Sequence, residues 1–142
     1  MSSFATVLSA LQRRSRRSQR SVALAAELDP GRYSRLLSGE RQPASREQVL
    51  ALAAALALDR RDTDHLVAAA GYLPPSLEQI GVDDPAVLAV LAVLTDPGLS
   101  EPARQAFRQT VVAIAGHWHE GGRRDGAAGA PAGEAAARRA AP

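Results

Sequence analysis

Several residue types that would define a protein class are absent or scarce in this chain. Cysteine is absent, which excludes disulfides, thiolate metal sites and cysteine nucleophiles. Aromatic residues make up only 4% of a chain that is 46% apolar, and this balance favours helices packed through alanine over strands. No apolar run approaches the roughly 20 residues that span a bilayer, and the N-terminus lacks the basic-then-apolar order of a signal peptide. The 142 residues therefore predict a soluble, intracellular, all-helical protein: one ordinary domain with an appendage.

Charge is unevenly distributed along the chain. All 17 basic residues are arginine, and eight of them lie in residues 1–43 with three acidic residues, which gives this segment a net charge of +5. Residues 76–120 contain two arginines and six acidic residues, a net charge of −4. Arginine makes bidentate contacts with phosphate and with guanine. The distribution favours a polyanionic partner for the N-terminal segment and a different role for the acidic one.

Capping residues and prolines divide the chain into short helices. A one-sided apolar stripe predicts a first helix from about Ser3 to Arg16. Asp84-Pro85 and Ser100 predict the starts of two late helices, and residues 76–82 predict a turn or one short helical piece. Ser45 and Gln48 are predicted to form a capping box. The predicted N-caps of the second to fifth helices are Ser18, Asp29, Ser45 and Asp59.

The second and third predicted helices are the most informative pair. Only about two residues separate them, too few for an antiparallel hairpin with long arms, so the helices must cross steeply as in a helix-turn-helix. The third helix begins at Pro30 and ends before Gly39. It carries Tyr33, Leu36 and Leu37 on one face, and we assign this face to the core.

One segment carries a pattern that belongs to a known family. It consists, without a gap, of Ser18-Gln19, Val22-Ala23, Leu28, Ser34-Arg35-Leu36, Gly39 and Pro43. This pattern resembles that of Xre/Cro-type, lambda-repressor-like helix-turn-helix regulators, and residues 45–72 are similar to the remaining two helices of that domain. The resemblance implies an all-α, five-helix DNA-binding domain over residues 1–75. It also implies a recognition helix, about Pro30 to Ser38, that enters the major groove of double-stranded DNA.

The resemblance further implies which residues contact DNA. Pro30, Gly31 and Arg35 hold the base-contacting positions, and Arg35 is the main contact because the other two have no hydrogen-bonding side chain. Arg32 and Ser34 lie nearer the DNA backbone, and Gln19 clamps a phosphate. The expected DNA-binding residues are Gln19, Arg20, Pro30, Gly31, Arg32, Ser34, Arg35 and Arg41, with Arg13, Arg16 and Arg17 adding electrostatic attraction.

Three residues depart from the family pattern. Glu27 stands where the turn usually has glycine, and it strains the turn if the backbone needs a positive φ. Leu37 replaces the usual glutamate near the end of the third helix. Glu40 stands where a basic or neutral residue would better face a phosphate, so it weakens affinity for DNA.

Residues 76–120 predict a C-terminal helical hairpin. Residues 87–94 are apolar on all sides, and the last helix carries an apolar stripe from Ala103 to Trp118. Two helices cannot hide this surface alone, so the hairpin stabilises the first domain or pairs with a second copy. We expect a homodimer, because one recognition helix buries too little surface on DNA. Residues 121–142 have no large apolar residue and predict a disordered tail.

No group of residues offers catalysis. The chain has no glycine-rich phosphate loop, no nucleophile elbow and no paired catalytic carboxylates, and His117 and His119 lie on different sides of a helix. We therefore predict no enzyme, cofactor, metal, small-molecule ligand or membrane partner. The predicted function is sequence-specific transcriptional regulation in the cytoplasm, at the nucleoid. The alternative is a protein-interaction module of the same fold, antitoxin-like or partner-binding, which Pro30, Gly31 and Glu40 on the presumed DNA face favour.

Overall fold

The structure, a computed structural model, describes residues 3–127. This range contains eight helices and no strand, which confirms the predicted all-α class. The helices are α1 (Phe4–Ser15), α2 (Gln19–Ala25), α3 (Pro30–Ser38), α4 (Arg46–Ala55), α5 (Arg60–Ala69), α6 (Pro75–Ile80), α7 (Pro85–Leu94) and α8 (Glu101–Ala127).

Each of the first five helices begins at a side chain that caps its first turn. The capping oxygen accepts a hydrogen bond from the backbone N–H three residues later, a donor that has no partner within the helix. The predicted capping box at Ser45 is wrong in one respect: Gln48 Oε1 accepts from the N–H of Ala44 at 2.9 Å instead of from that of Ser45. The N-caps are Ser3, Ser18, Asp29, Ser45 and Asp59.

Helices α1 to α5 surround one hydrophobic core. Its largest side chains come from four helices and have almost no exposure to solvent, and α2 adds Val22 and Ala23. Each fully buried aliphatic side chain stabilises the fold by about 1.5–3 kcal/mol, so the core fixes the position of α2 and α3 together with the other helices. The largest buried side chains are Leu8, Tyr33, Leu36, Leu52 and Leu66.

The connection between α2 and α3 contains a left-handed residue that is not glycine. The N–H of Leu28 donates to the carbonyl oxygen of Ala23 at 2.8 Å, and Glu27 has φ 56°. Ala57, between α4 and α5, has a similar φ of 52°. The strain that the sequence predicted at Glu27 is therefore present, since the left-handed region is unfavourable for a residue with a Cβ atom.

The described residues divide into two units between Val87 and Leu88. The first unit contains α1 to α6, and α6 lies against α5. Arg46 connects α4 to α6 through an ion pair with Glu78 at 2.6 Å. Although the sequence analysis grouped residues 76–82 with the hairpin, α6 thus belongs to the first unit.

The second unit contains most of α7 and all of α8. None of its described side chains is fully buried. α8 extends to Ala127, past Glu120, where the tail was expected to begin, because an existing helix gains one hydrogen bond for each further residue that it fixes. Residues 128–142 of the expected tail lie outside the described range. No described helix is both long enough and apolar enough to cross a membrane.

Candidate nucleic-acid interface

Buried side chains on both helices hold α2 and α3 in a fixed arrangement. Val22 and Ala23 of α2, and Tyr33 and Leu36 of α3, have at most 1% of their surface exposed. Because α3 buries this face in the core, its opposite face must lie towards solvent. The two short helices pack against each other, and the exposed face of α3 is free to enter a DNA groove.

The exposed face of α3 carries five of the residues predicted to contact DNA. Arg32 and Arg35 lie one helical turn apart, and neither guanidinium donates a hydrogen bond to another described residue. The five exposed residues are Pro30, Gly31, Arg32, Ser34 and Arg35.

The other three predicted residues lie beside α3. Gln19 and Arg20 are exposed in the first turn of α2, the helix that packs against α3. The N–H of Arg41 donates to the carbonyl oxygen of Arg35 at 3.1 Å, so the loop that follows α3 is attached to the end of this helix. We call the exposed surface formed by all eight residues the α2–α3 face.

The arginines of the α2–α3 face are not neutralised by acidic side chains. The ion pairs of the described residues involve Arg14, Arg46, Arg104 and Arg108, and none of them involves an arginine of this face. Glu27, Asp29 and Glu40 are exposed and acidic, and they lower the positive potential of this segment without removing it. A surface with several unpaired guanidinium groups attracts a polyanion.

Gly31 has a structural role in this face. A Cβ atom at Gly31 would lie 3.0 Å from Asp29 Oδ2, the oxygen that accepts from the N–H of Arg32 and caps α3. A side chain at this position would require the capping carboxylate to move by a few tenths of an ångström. The glycine therefore leaves the cap undisturbed, and the absence of a Cβ atom lets another molecule approach the start of α3 closely.

A buried polar link, which the sequence analysis missed, joins α3 to α1. The hydroxyl of Tyr33 donates to Gln12 Oε1 at 2.5 Å, and Gln12 Nε2 donates to the carbonyl oxygen of Arg17 at 2.6 Å. Gln12 is 7% exposed, and burial raises the pKa of Tyr33 to about 12. The signal for Gln12 was its place four residues after Leu8, on the buried side of α1.

Two arginines that contribute to the N-terminal charge have partners within the domain. Arg14 forms an ion pair with Asp62 of α5. Arg17 Nη1 donates to the carbonyl oxygen of Ala55 at 2.6 Å, at the end of α4, where a cation also complements the helix dipole. Arg17, which was expected to add electrostatic attraction for DNA, thus also stabilises the end of a helix through its guanidinium.

The two histidines of the last helix belong to the second unit. His117 and His119 are exposed on α8, in the second unit. Among the residues that the structure describes, no three side chains of histidine, cysteine, aspartate or glutamate come together in a metal-binding group.

Comparison with known families identifies the N-terminal segment. The family model of a helix-turn-helix domain matches residues 3–66, a range that contains α1 to α4 and most of α5. This segment therefore matches a helix-turn-helix domain, and the match is consistent with the resemblance to Xre-like regulators. Comparison with curated proteins and with solved structures found no match for the chain.

Proposed function

We propose that the protein is a transcriptional regulator that binds specific sequences in double-stranded DNA, with α3 in the major groove. One observation supports this most strongly: α3 buries Tyr33 and Leu36 on one face and presents the unpaired Arg32 and Arg35 on the other. We further propose that the protein acts as a homodimer on two half-sites, at the nucleoid of the cytoplasm. It then performs binding and no chemical reaction.

The residues of the α2–α3 face would have two kinds of role. Arg35 would form the base contact, through a bidentate hydrogen bond to guanine, because Pro30 and Gly31 before it offer no side-chain donor. Gln19, Arg20 and Arg41 would bind phosphates on either side, and Arg32 and Ser34 would lie nearer the sugar-phosphate backbone. Phosphate contacts fix the register of the protein, whereas the base contact selects the sequence.

The first experiment selects binding sites from random duplexes and then measures affinity for the selected duplex by fluorescence anisotropy at several salt concentrations. Arg35→Ala should lower this affinity about 5- to 150-fold, equivalent to about 1–3 kcal/mol, and remove the preference at one base pair. Arg41→Ala should weaken binding to all sequences alike and reduce the slope of log affinity against log salt by about 0.9.

Arg61→Ala provides the matched control. Arg61 is an exposed arginine of α5, so this variant loses the same charge outside the α2–α3 face. It should change the affinity less than about twofold, as is typical of screened charges far from the contact. Equal losses for Arg35→Ala and Arg61→Ala, or the failure to select any duplex, would contradict the proposal.

A second candidate function is a protein-interaction module, antitoxin-like or partner-binding. It is favoured by Leu24 of α2, which is 79% exposed, and by the exposed carboxylates of Glu27 and Glu40 near α3. An exposed apolar side chain contributes to a protein interface and contributes little to phosphate binding. Duplex binding that is weak and independent of sequence would favour this candidate.

A further inference from the structure

α8 carries an apolar seam with the spacing of a coiled coil. Phe107, Val111, Ile114 and Trp118 follow one another at intervals of four, three and four residues, as the a and d positions of a heptad do. This spacing keeps all four side chains on one face of the helix. We call these four residues the α8 seam.

The α8 seam is covered at its start and uncovered at its end. Phe107 and Val111 are half-buried, whereas 55% of Ile114 and 73% of Trp118 are exposed. α7 has 10 residues and α8 has 27, so their lengths are about 15 Å and about 40 Å at 1.5 Å per residue. α7 is therefore too short to cover the whole seam.

α7 itself is apolar at every position and yet has no buried residue. Leu88 is 50% exposed and Leu91 is 48% exposed. A helix without any polar face is normally enclosed by other elements, because water would otherwise surround its apolar side chains. Among the described residues of the second unit, α8 is the helix beside α7, and Leu88 and Leu91 remain about half exposed.

We infer that a second copy of this chain covers both surfaces. Two hairpins of α7 and α8 pack into a four-helix bundle, with Ile114 and Trp118 of each copy in its core. The inference deepens the homodimer of the proposed function by naming its interface, and it does not depend on whether the protein binds DNA.

The absence of charged residues beside the uncovered half of the α8 seam permits pairing with a second copy. Ala115 and His117 occupy the flanking e and g positions of its uncovered half. Charges at these positions select partners and their orientation, and like charges would repel an identical helix. With no aspartate, glutamate, lysine or arginine there, two identical seams meet without repulsion, and no charge pattern favours another partner.

The exposed area is also sufficient for a small symmetric interface. The exposed parts of Leu88, Leu91, Ile114 and Trp118 amount to about 500 Å² per copy, so an interface that covered all of them would bury about 1,000 Å² in total, the lower limit for a biological interface. The pairing is isologous, since each copy offers the same surface.

Trp118 is the only tryptophan of the chain, so its fluorescence reports directly on this interface. We expect a blue-shifted emission and weak quenching by acrylamide at high concentration, in the absence of DNA. Dilution from about 100 to about 1 µM should shift the emission of Trp118 to the red. Light scattering over the same concentrations should show the mass falling from dimer to monomer, and the two curves should coincide.

Two variants separate the interface from general effects on α8. Ile114→Glu should raise the dissociation constant of the dimer more than about tenfold, because the carboxylate would be buried, while the helical circular dichroism of the diluted protein stays unchanged. Val112→Glu is the control: Val112 is 71% exposed on the same helix but outside the seam, so the dimer should persist.

Three results would overturn the inference. The first is that light scattering finds a monomer at about 100 µM. The second is that the protein is a monomer whose Trp118 emission is blue-shifted at every concentration. The third is that the Ile114→Glu variant still forms the dimer. Duplex binding is measured separately. If binding fails while mass and emission change as expected, the proposed function falls and the interface stands.

Discussion

The buried hydrogen bond between α1 and α3 gives the most direct test of how α3 is held in the fold. Tyr33→Phe removes the hydroxyl that donates to Gln12 Oε1 and leaves the rest of the side chain in place. Tyr33 has no exposure and Gln12 has only 7%, so water cannot replace the lost donor without a local change of structure. The variant thus loses a hydrogen bond and also leaves a buried acceptor without a partner.

The expected cost follows from these two losses. A buried polar group that loses its partner costs about 1–3 kcal/mol, so Tyr33→Phe should lower the free energy of unfolding by about that amount. Gln12→Leu should be costly as well, since it also removes the donor to the carbonyl oxygen of Arg17. The double variant loses the Tyr33–Gln12 hydrogen bond only once. Its loss of unfolding free energy should therefore be smaller than the sum of the losses in the two single variants, by at least about 0.5 kcal/mol.

Urea unfolding followed by circular dichroism measures these differences, because the only tryptophan lies on α8 and reports on the other unit. Tyr72→Phe is the control: Tyr72 is half-buried, and its hydroxyl has no hydrogen bond to any described residue, so its loss should cost less than about 0.5 kcal/mol. A Tyr33→Phe variant as stable as the control, or strictly additive costs in the double variant, would refute the reasoning.

Three further predictions concern the same domain. Burial raises the pKa of Tyr33 to about 12 from 10.0, so the neutral phenol stabilises the fold fully below pH 10. As the pH rises through 12, up to about 3 kcal/mol of this stability is lost. Unfolding measured at increasing alkaline pH should show the loss in the wild type and not in Tyr33→Phe. Glu27→Gly should raise the free energy of unfolding by about 0.5 kcal/mol because φ is 56° there, and it should strengthen duplex binding because a carboxylate is removed. Ala54→Gly inside α4 is the control and should lower the free energy of unfolding by about 0.5–1 kcal/mol. A loss of stability for both variants in thermal unfolding would contradict this prediction. Asp29→Ala should cost about 1 kcal/mol in urea unfolding, since the N–H of Arg32 loses its capping acceptor, and an unchanged midpoint would show that the cap is not needed.

The sequence alone determined where most helices begin and which face of α3 is buried. N-caps act within three residues, and the spacing of Tyr33 and Leu36 fixes one side of a helix, so both properties are local. The eight residues that the resemblance assigned to DNA contact are all exposed, and five of them lie on α3. The strain at Glu27 followed from the family pattern, which usually has glycine at this position of the turn.

Only the tertiary structure decided which polar side chains have partners in distant parts of the chain. Gln12 resembles any polar residue of α1 until Tyr33 lies beside it, and Arg17 resembles any exposed arginine until the end of α4 reaches it. The apolar stripe of α8 was visible in the sequence, but its division into a covered and an uncovered half depends on the length of α7 against that of α8. Such contacts join residues far apart in sequence, and the free energy that stabilises them comes from packing that no local spacing encodes.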